Sequence, residues 1–214
     1  MATGHDTVVL HLRETAGLWF GLACLGEALL ATAVSPTRAR TIAALRRSLP
    51  AAVEHRLGGE VRPEFVERTL ELLAHLEAGD ERGKRFVLDS RHLGEPLRRV
   101  LEAAAAIPLG YVSTYGNVAR AAGVEARDVG GIMARNPLYP IVACHRVVGA
   151  DLALVGYAGS KSPAALGAKL ARLRSEARGF ATERDLPVGG EVLRVYPVER
   201  AIAKARDGQR WLFE

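Results

Sequence analysis

Asn117-Val118-Ala119-Arg120-Ala121-Ala122, then Gly123-Val124-Glu125, then Ala126-Arg127-Asp128-Val129-Gly130-Gly131-Ile132-Met133-Ala134-Arg135 is the stretch that decides the C-terminal fold. The two outer segments read as short helices and the middle one as the break between them. This is helix-turn-helix spacing, shared with helical hairpins that never meet nucleic acid. Upstream, Pro96 to Ala106 carries Leu97, Val100, Leu101 and Ala104 on one helical face, and Pro108-Leu109-Gly110 ends it. Downstream, Asn136-Pro137 leads through Pro140-Ile141-Val142, expected as an apolar strand, into Ala143-Cys144-His145-Arg146-Val147.

The last segment carries chemistry. A thiol reacts as thiolate, and a free cysteine with a pKa of ~8.5 is mostly protonated at neutral pH. A histidine and an arginine next to Cys144 put a proton acceptor and a cation in one tight segment. A lone Cys-His pair equally suits a buried structural cysteine at a strand end.

The N-terminal half reads as a separate α+β unit. Thr7 to Leu12 and Leu18 to Ala23 are strand-like; after a turn at Gly26-Glu27, Ala28 to Val34 completes a short meander. Ser35-Pro36-Thr37 offers a helix start, with Ile42, Leu45 and Leu49 at helical spacing up to Pro50. A second helix is expected from Pro63 to Leu76. A polar run, Gly79 to Arg85, then separates it from Phe86-Val87-Leu88-Asp89, a linker or edge strand. The expected division is 1–88, 89–177 and an accessory tail, 178–214, in which Glu191 to Tyr196 is strand-like and Val198 to Ala205 helical.

The 214 residues suffice for one large or two small domains. The formal charge of +5 is almost all arginine, with lysine only at positions 84, 161, 169 and 204, and it favours an anionic partner. No apolar run approaches the ~20 residues of a membrane span, and Met1 to Asp6 is not a signal peptide. Cys24 and Cys144 make neither a disulfide framework nor a zinc-ligand pair. Cys24, inside Trp19 to Leu25, reads as a small core residue. An intracellular chain with reduced thiols is expected.

Gly110-Tyr111-Val112-Ser113-Thr114-Tyr115-Gly116-Asn117-Val118-Ala119, Ala126-Arg127-Asp128-Val129-Gly130-Gly131, Ala134-Arg135-Asn136-Pro137 and Cys144-His145-Arg146-Val147 stand in an order and spacing that resembles the O6-alkylguanine-DNA alkyltransferase family. The resemblance implies an α+β scaffold domain and a mainly helical C-terminal domain with a helix-turn-helix and a short winged element. It implies stoichiometric transfer of an alkyl group from guanine O6 in double-stranded DNA to Cys144, with neither metal nor organic cofactor. The protein would act as a cytoplasmic, prokaryotic monomer, nucleoid-associated when on DNA, with no membrane and no obligate protein partner.

Roles follow residue by residue from that resemblance. His145 would be the base for Cys144, directly or through water, and Glu176 would hold its imidazole. Tyr115 would donate to N3 of the departing guanine. Asn136 would fix the loop carrying the cysteine. The carbonyls of Cys144 and Val147 would accept from the guanine amine, and the stretch after Tyr157, with Gly159, would wall the alkyl pocket. The base must be flipped out. Arg127 would fill the vacated stack, while Gly130, Gly131 and Ala134 would let the helix approach the minor groove. Arg135 and Arg120 would touch phosphates.

This chain departs from the family pattern at Ala143, usually proline, at Asp128, usually small and neutral, and around Gly159-Ser160, usually a glycine pair. A non-catalytic relative that binds alkylated DNA and signals to other factors is the alternative, opposed by Cys144 itself. A thiol hydrolase using Cys144, His145 and Glu176 would leave the helix-turn-helix and Arg127 unexplained.

Overall fold

A computed structural model describes residues 7–59, 62–80 and 92–210. The chain divides into two compact units, residues 1–93 with 137–141, and residues 94–136 with 142–214. Phe86 to Asp89 and the boundary expected at residue 88 lie outside the described residues.

The first unit is built on a meander. Strands β1 (Val8–Thr15), β2 (Leu18–Leu25) and β3 (Ala28–Ser35) pair antiparallel, and β4 (His55–Leu57) adds in parallel to β1, giving the order β3-β2-β1-β4. The turns at Ala16-Gly17 and Gly26 use positive φ, which lets so few residues reverse the chain. Helix α1 (Arg38–Ser48) starts where the Thr37 hydroxyl accepts from Arg40 N, and it brings Leu45 and Leu49 onto a core of Val8, Leu10, Ala23 and Ala31. Helix α2 (Glu64–Glu77) buries Val66, Leu70 and Leu73. The exposed three-residue β4 was not foreseen, because it is too short to show alternation.

The unit also owns residues 137–141. Thr32 N donates to Pro137 O at 2.8 Å, Thr32 and Leu138 form a β-bridge, and the Tyr139 phenol donates to Glu77 Oε2 at 2.6 Å. Pro140 to Val142 is therefore not the expected strand but a turn and bend. Its polar groups are satisfied locally: Val142 O accepts from both Asn136 Nδ2 and Cys144 N, leaving it unavailable to a strand ladder.

In the second unit, α3 (Glu95–Ala105) begins with Pro96 in its first turn and is followed by β5 (Tyr111–Thr114). The Thr114 hydroxyl caps α4 (Tyr115–Ala122) through Asn117 N at 3.1 Å, so the helix starts at Tyr115, ahead of the expected Asn117. Gly123, at φ +64, closes α4 in the left-handed conformation and turns the chain into α5 (Ala126–Ala134). A short 3₁₀ turn, Cys144–Arg146, runs into β6 (Val147–Val148), and Ser162 with Pro163 starts α6 (Pro163–Ser175).

The tail is more than an appendage. Strands β7 (Arg184–Val188) and β8 (Glu191–Pro197) form a hairpin turned at Gly189-Gly190, and β8 pairs antiparallel with β5, giving a sheet ordered β6-β5-β8-β7. Ser113 Oγ at 2.6 Å and Asn117 Nδ2 at 3.3 Å both donate to Arg194 O, tying β8 to β5 and α4. Helix α7 (Val198–Arg210) packs Val198, Ala201 and Ile202 against Val112, Val148, Leu170 and Leu173. The expectation of a mainly helical unit with a short wing thus becomes helices around a four-stranded sheet. Strand β7 was missed because Pro187 and flanking charges mask its pattern; its edge position tolerates the proline.

Candidate active site

The local sequence folds Cys144 into a turn rather than a strand end. Cys144 lines a pocket of about 360 Å³ together with Tyr115, Gly130, Met133, Ala134 and the loop from Val155 to Lys161. Of the expected residues, Cys144, Tyr115, Gly130, Ala134, Tyr157 and Gly159 meet around this one cavity. Val147 does not line it: the side chain is fully buried and its carbonyl accepts from Lys169 Nζ at 2.6 Å. Arg127 on α5 and Arg135 just after it are exposed, outside the lining.

Behind the cysteine lies a buried ionic triad. His145 Nε2 meets Glu176 Oε1 at 2.6 Å, while Arg146 donates through Nε to Glu176 Oε2 at 2.8 Å and through Nη2 to Oε1 at 2.9 Å. His145, Arg146 and Glu176 are 6%, 3% and 3% exposed, so every charge here depends on its partner. Glu176 is the residue that closes α6, where the chain leaves the helix. Burial alone would raise its pKa, but the bonds from His145 and Arg146 outweigh this and bring it to about 2. Burial lowers the pKa of His145, against the pull of Glu176, which favours a neutral imidazole. With Nε2 engaged by a carboxylate, Nε2 carries the hydrogen and Nδ1 is left as the basic nitrogen. Nδ1 is buried and hydrogen-bonds no protein atom.

Burial pushes the Cys144 thiol up, while the Asn136 amide and the charges of Lys169 and Arg172 pull it back down. The resting residue is accordingly a thiol, and a base is needed when it reacts. Burial likewise raises the Tyr115 phenol, with a further push from a thiolate at Cys144, so it remains an O–H donor.

Lys169 was missed as a site residue. It is wholly buried on α6, donates to Val147 O at 2.6 Å and Gly156 O at 2.9 Å, and stands 5.9 Å from the centre of the Tyr115 ring. Burial lowers its pKa to about 8, partly offset by Cys144. The signal was present: Leu166, Lys169, Leu170, Leu173 and Glu176 follow one helical stripe, so two ionisable groups sit where apolar residues belong. Buried charges at such positions are uncommon without a partner to hold them.

The glycines of α5 do not serve internal packing. A Cβ on Gly130 would meet nothing within 4 Å, and one on Gly131 only the Arg135 guanidinium at 3.7 Å. A side chain at Gly130 would extend into open space. Across the cavity, Ala158 (φ 49) and Gly159 (φ 77) form a tight turn closed by paired backbone bonds of 2.9 Å between Tyr157 and Ser160. Among the described residues no histidine, cysteine and carboxylate cluster could hold a metal ion.

Residues 95–178 match the family model of the 6-O-methylguanine DNA methyltransferase DNA-binding domain. The methylated-DNA–protein-cysteine methyltransferase of Pyrobaculum aerophilum is 55% identical over 53 residues, 25% of this chain and 36% of the relative. That of Mycolicibacterium paratuberculosis is 36% identical over 115 residues, 53% of this chain and 59% of the relative. The chain thus spans between about a third and three-fifths of these curated methyltransferases. Its fold resembles that of Mycobacterium tuberculosis OGT, solved in complex with DNA, at a TM-score of 0.57 and 25% identity over 80% of this chain and 96% of the other. The methyltransferase family match ends at residue 178, so β7, β8 and α7 lie beyond it.

Proposed function

We propose that this protein repairs alkylated DNA by moving an alkyl group from guanine O6 to Cys144 Sγ, once per molecule. The observation that carries the reading is a buried thiol lining a pocket whose other wall is an outward-open glycine face, with a neutral histidine held by a carboxylate in the adjoining residue. A double helix cannot deliver O6 to a buried sulfur, so the nucleotide is flipped into the pocket, at a cost of a few kcal/mol. Arg127, exposed in the first turn of α5, takes the vacated place in the stack, while Gly130, Gly131 and Ala134 let the helix lie against the minor groove. Arg120 and Arg135, both exposed, neutralise phosphates.

In the transfer, His145 Nδ1 takes the thiol proton, directly or through water, and Glu176 stabilises the imidazolium that forms. The sulfur lone pair forms the S–C bond as the C–O6 bond breaks, and the electrons pass into the guanine ring. The Tyr115 phenol hydrogen-bonds to N3 of the departing guanine and stabilises the guanine anion as it forms; the anion then takes a proton from solvent. Lys169 contributes a fixed positive charge near the thiolate. Nothing returns the thioether to thiol, so each protein acts once.

Intact mass after incubation with a duplex bearing O6-methylguanine tests this, with Cys144→Ser alongside. One methyl per protein, mapping to Cys144 and absent from the variant, is expected. Tight lesion binding without an adduct would replace the transferase reading with that of a damage sensor.

A further inference from the structure

The pocket that Cys144 lines is walled mostly by small and apolar residues, Ala126, Gly130, Met133, Ala134 and Val155 among them. Among the described residues, Lys161 alone brings a formal charge to the lining, and no carboxylate lines it. Two ordered elements hold the backbone of this lysine. Before it, the turn from Tyr157 to Ser160 is closed by paired backbone bonds of 2.9 Å, and a Cβ on Gly159 would come 3.8 Å from Ala134 Cβ, so the turn sits against α5. After it, the Ser162 hydroxyl caps α6 by accepting from Ala165 N at 3.2 Å. The stem of Lys161 passes Gly156, where an added Cβ would lie 3.9 Å from its Cγ. Lys161 is exposed, and its ammonium has no hydrogen-bond or ion-pair partner among the described residues.

We infer that Lys161 binds the backbone phosphate of the nucleotide whose base enters the pocket. The inference rests on the alkyl-transfer reading above. A guanine alkylated at O6 is neutral and suits an apolar cavity, whereas its phosphodiester carries a full charge and is costly to desolvate. The base therefore goes to the floor beside Cys144, which is 9% exposed, and the phosphate stays in water at the rim. An exposed cation of the lining stands at that rim. Its flexible four-carbon stem and three N–H donors let it follow a phosphate oxygen. The contact forms when the nucleotide is flipped, because a base still stacked in the duplex keeps its phosphate away from the pocket. Its energy is gained in the flipped state alone and offsets part of the cost of unstacking. Arginines that meet the backbone of any duplex lack this selectivity.

The test sets Lys161→Gln and Lys161→Arg beside the parent protein, with two readouts. The first is the rate of Cys144 methylation by small substrates: the deoxynucleoside of O6-methylguanine, and the same nucleoside phosphorylated on both sugar hydroxyls. The parent is expected to prefer the phosphorylated form about tenfold, the size of one charge-assisted hydrogen bond. Lys161→Gln loses that preference and Lys161→Arg keeps it. The second readout is the salt dependence of duplex binding, measured in a Cys144→Ser background so that no transfer intervenes. For a duplex bearing O6-methylguanine, the slope of log affinity against log salt is expected to shrink by about one in Lys161→Gln. For the undamaged duplex of the same sequence the slope stays as it is without the substitution.

A phosphate preference that survives in Lys161→Gln, or a slope reduced equally on both duplexes, would overturn the inference; the second result is what a lysine on a general DNA-facing surface gives. The nucleoside carrying a carboxymethyl group at O6 is a further control. If Lys161→Gln slows its transfer and spares the phosphate preference, the cation serves an anionic alkyl group and the inference falls. Where the nucleosides do not react, the titrations decide alone. Failure of the parent to methylate Cys144 from the lesion duplex would overturn the proposed function instead, and the titrations would then decide Lys161 separately.

Discussion

Glu176 Oε1 lies 2.6 Å from His145 Nε2, and that one contact fixes which imidazole nitrogen can act as a base. It also neutralises Arg146, which binds the same carboxylate through two nitrogens. In the proposed mechanism the carboxylate has a catalytic and a structural duty at once, and substitutions can separate them. Glu176→Gln keeps the shape and removes the charge. Its transfer rate should fall by roughly 100-fold, within the range for loss of base orientation. Glu176→Ala leaves a buried guanidinium without its partner and should cost about 3–5 kcal/mol in denaturant unfolding as well.

Acid should unfold the protein through the same residue. The folded pKa of Glu176, about 2, is below its ordinary value of 4.5, so its stabilisation is fully present above the ordinary value and lost as pH falls through the folded one. Urea midpoints measured from pH 6 to pH 2 should decline across this window, and the decline should shrink in Glu176→Gln.

Lys169 gives a slope of the same sign on the alkaline side. Its folded pKa is lowered from 10.5 to about 8, so the unfolded chain binds more protons between these values and stability from this group rises with pH there. Lys169→Met should remove that slope. It should also leave the carbonyls of Val147 and Gly156 without this donor, costing about 1–3 kcal/mol. With the cation gone, the pH profile of Cys144 alkylation by iodoacetamide should move to higher pH.

Gly130 separates stability from recognition. Its missing side chain faces open space, so Gly130→Leu should gain up to about 1 kcal/mol of helix stability while blocking the pocket. Thermal melts and lesion-duplex titrations on the same variant should therefore move in opposite directions, with affinity down at least roughly tenfold. Loss of both together would mean that the glycine serves internal packing.

Backbone conformation predicts two further effects of opposite sign. Gly123→Ala forces a side chain into φ +64 at the break between α4 and α5 and should cost about 1 kcal/mol. Ala158→Gly relieves φ 49 beside the pocket and should gain about 1 kcal/mol. Unfolding midpoints of the two variants check both.

Several elements were legible before any coordinates. The meander, α1, α2 and the α4–α5 pair follow from apolar period and from caps such as Thr37 and Gly123, which are local in sequence. The Cys144-His145-Arg146 motif could likewise be singled out, because the residue types themselves restrict the chemistry, whereas Glu176 followed only from the family resemblance through its interval from Lys169. Strand β7 and the two-residue β6 could not: they are too short or too polar for a period, and exist because β5 offers them a partner. The expected strand at Pro140 to Val142 failed for the converse reason, since its backbone groups are taken by Asn136, Cys144 and the turn itself.

By itself, then, the sequence determined the α4–α5 helix pair and the Cys144-His145-Arg146 motif, which depend on neighbours along the chain. Only the tertiary structure decided which imidazole nitrogen is free, that Lys169 is a buried cation beside the thiol, and that β8 completes the sheet. Those properties depend on burial and on partners far apart in sequence, such as His145 with Glu176 and Ser113 with Arg194. Desolvation and long-range hydrogen bonds have no signature in local pattern; they exist only once the chain has closed on itself.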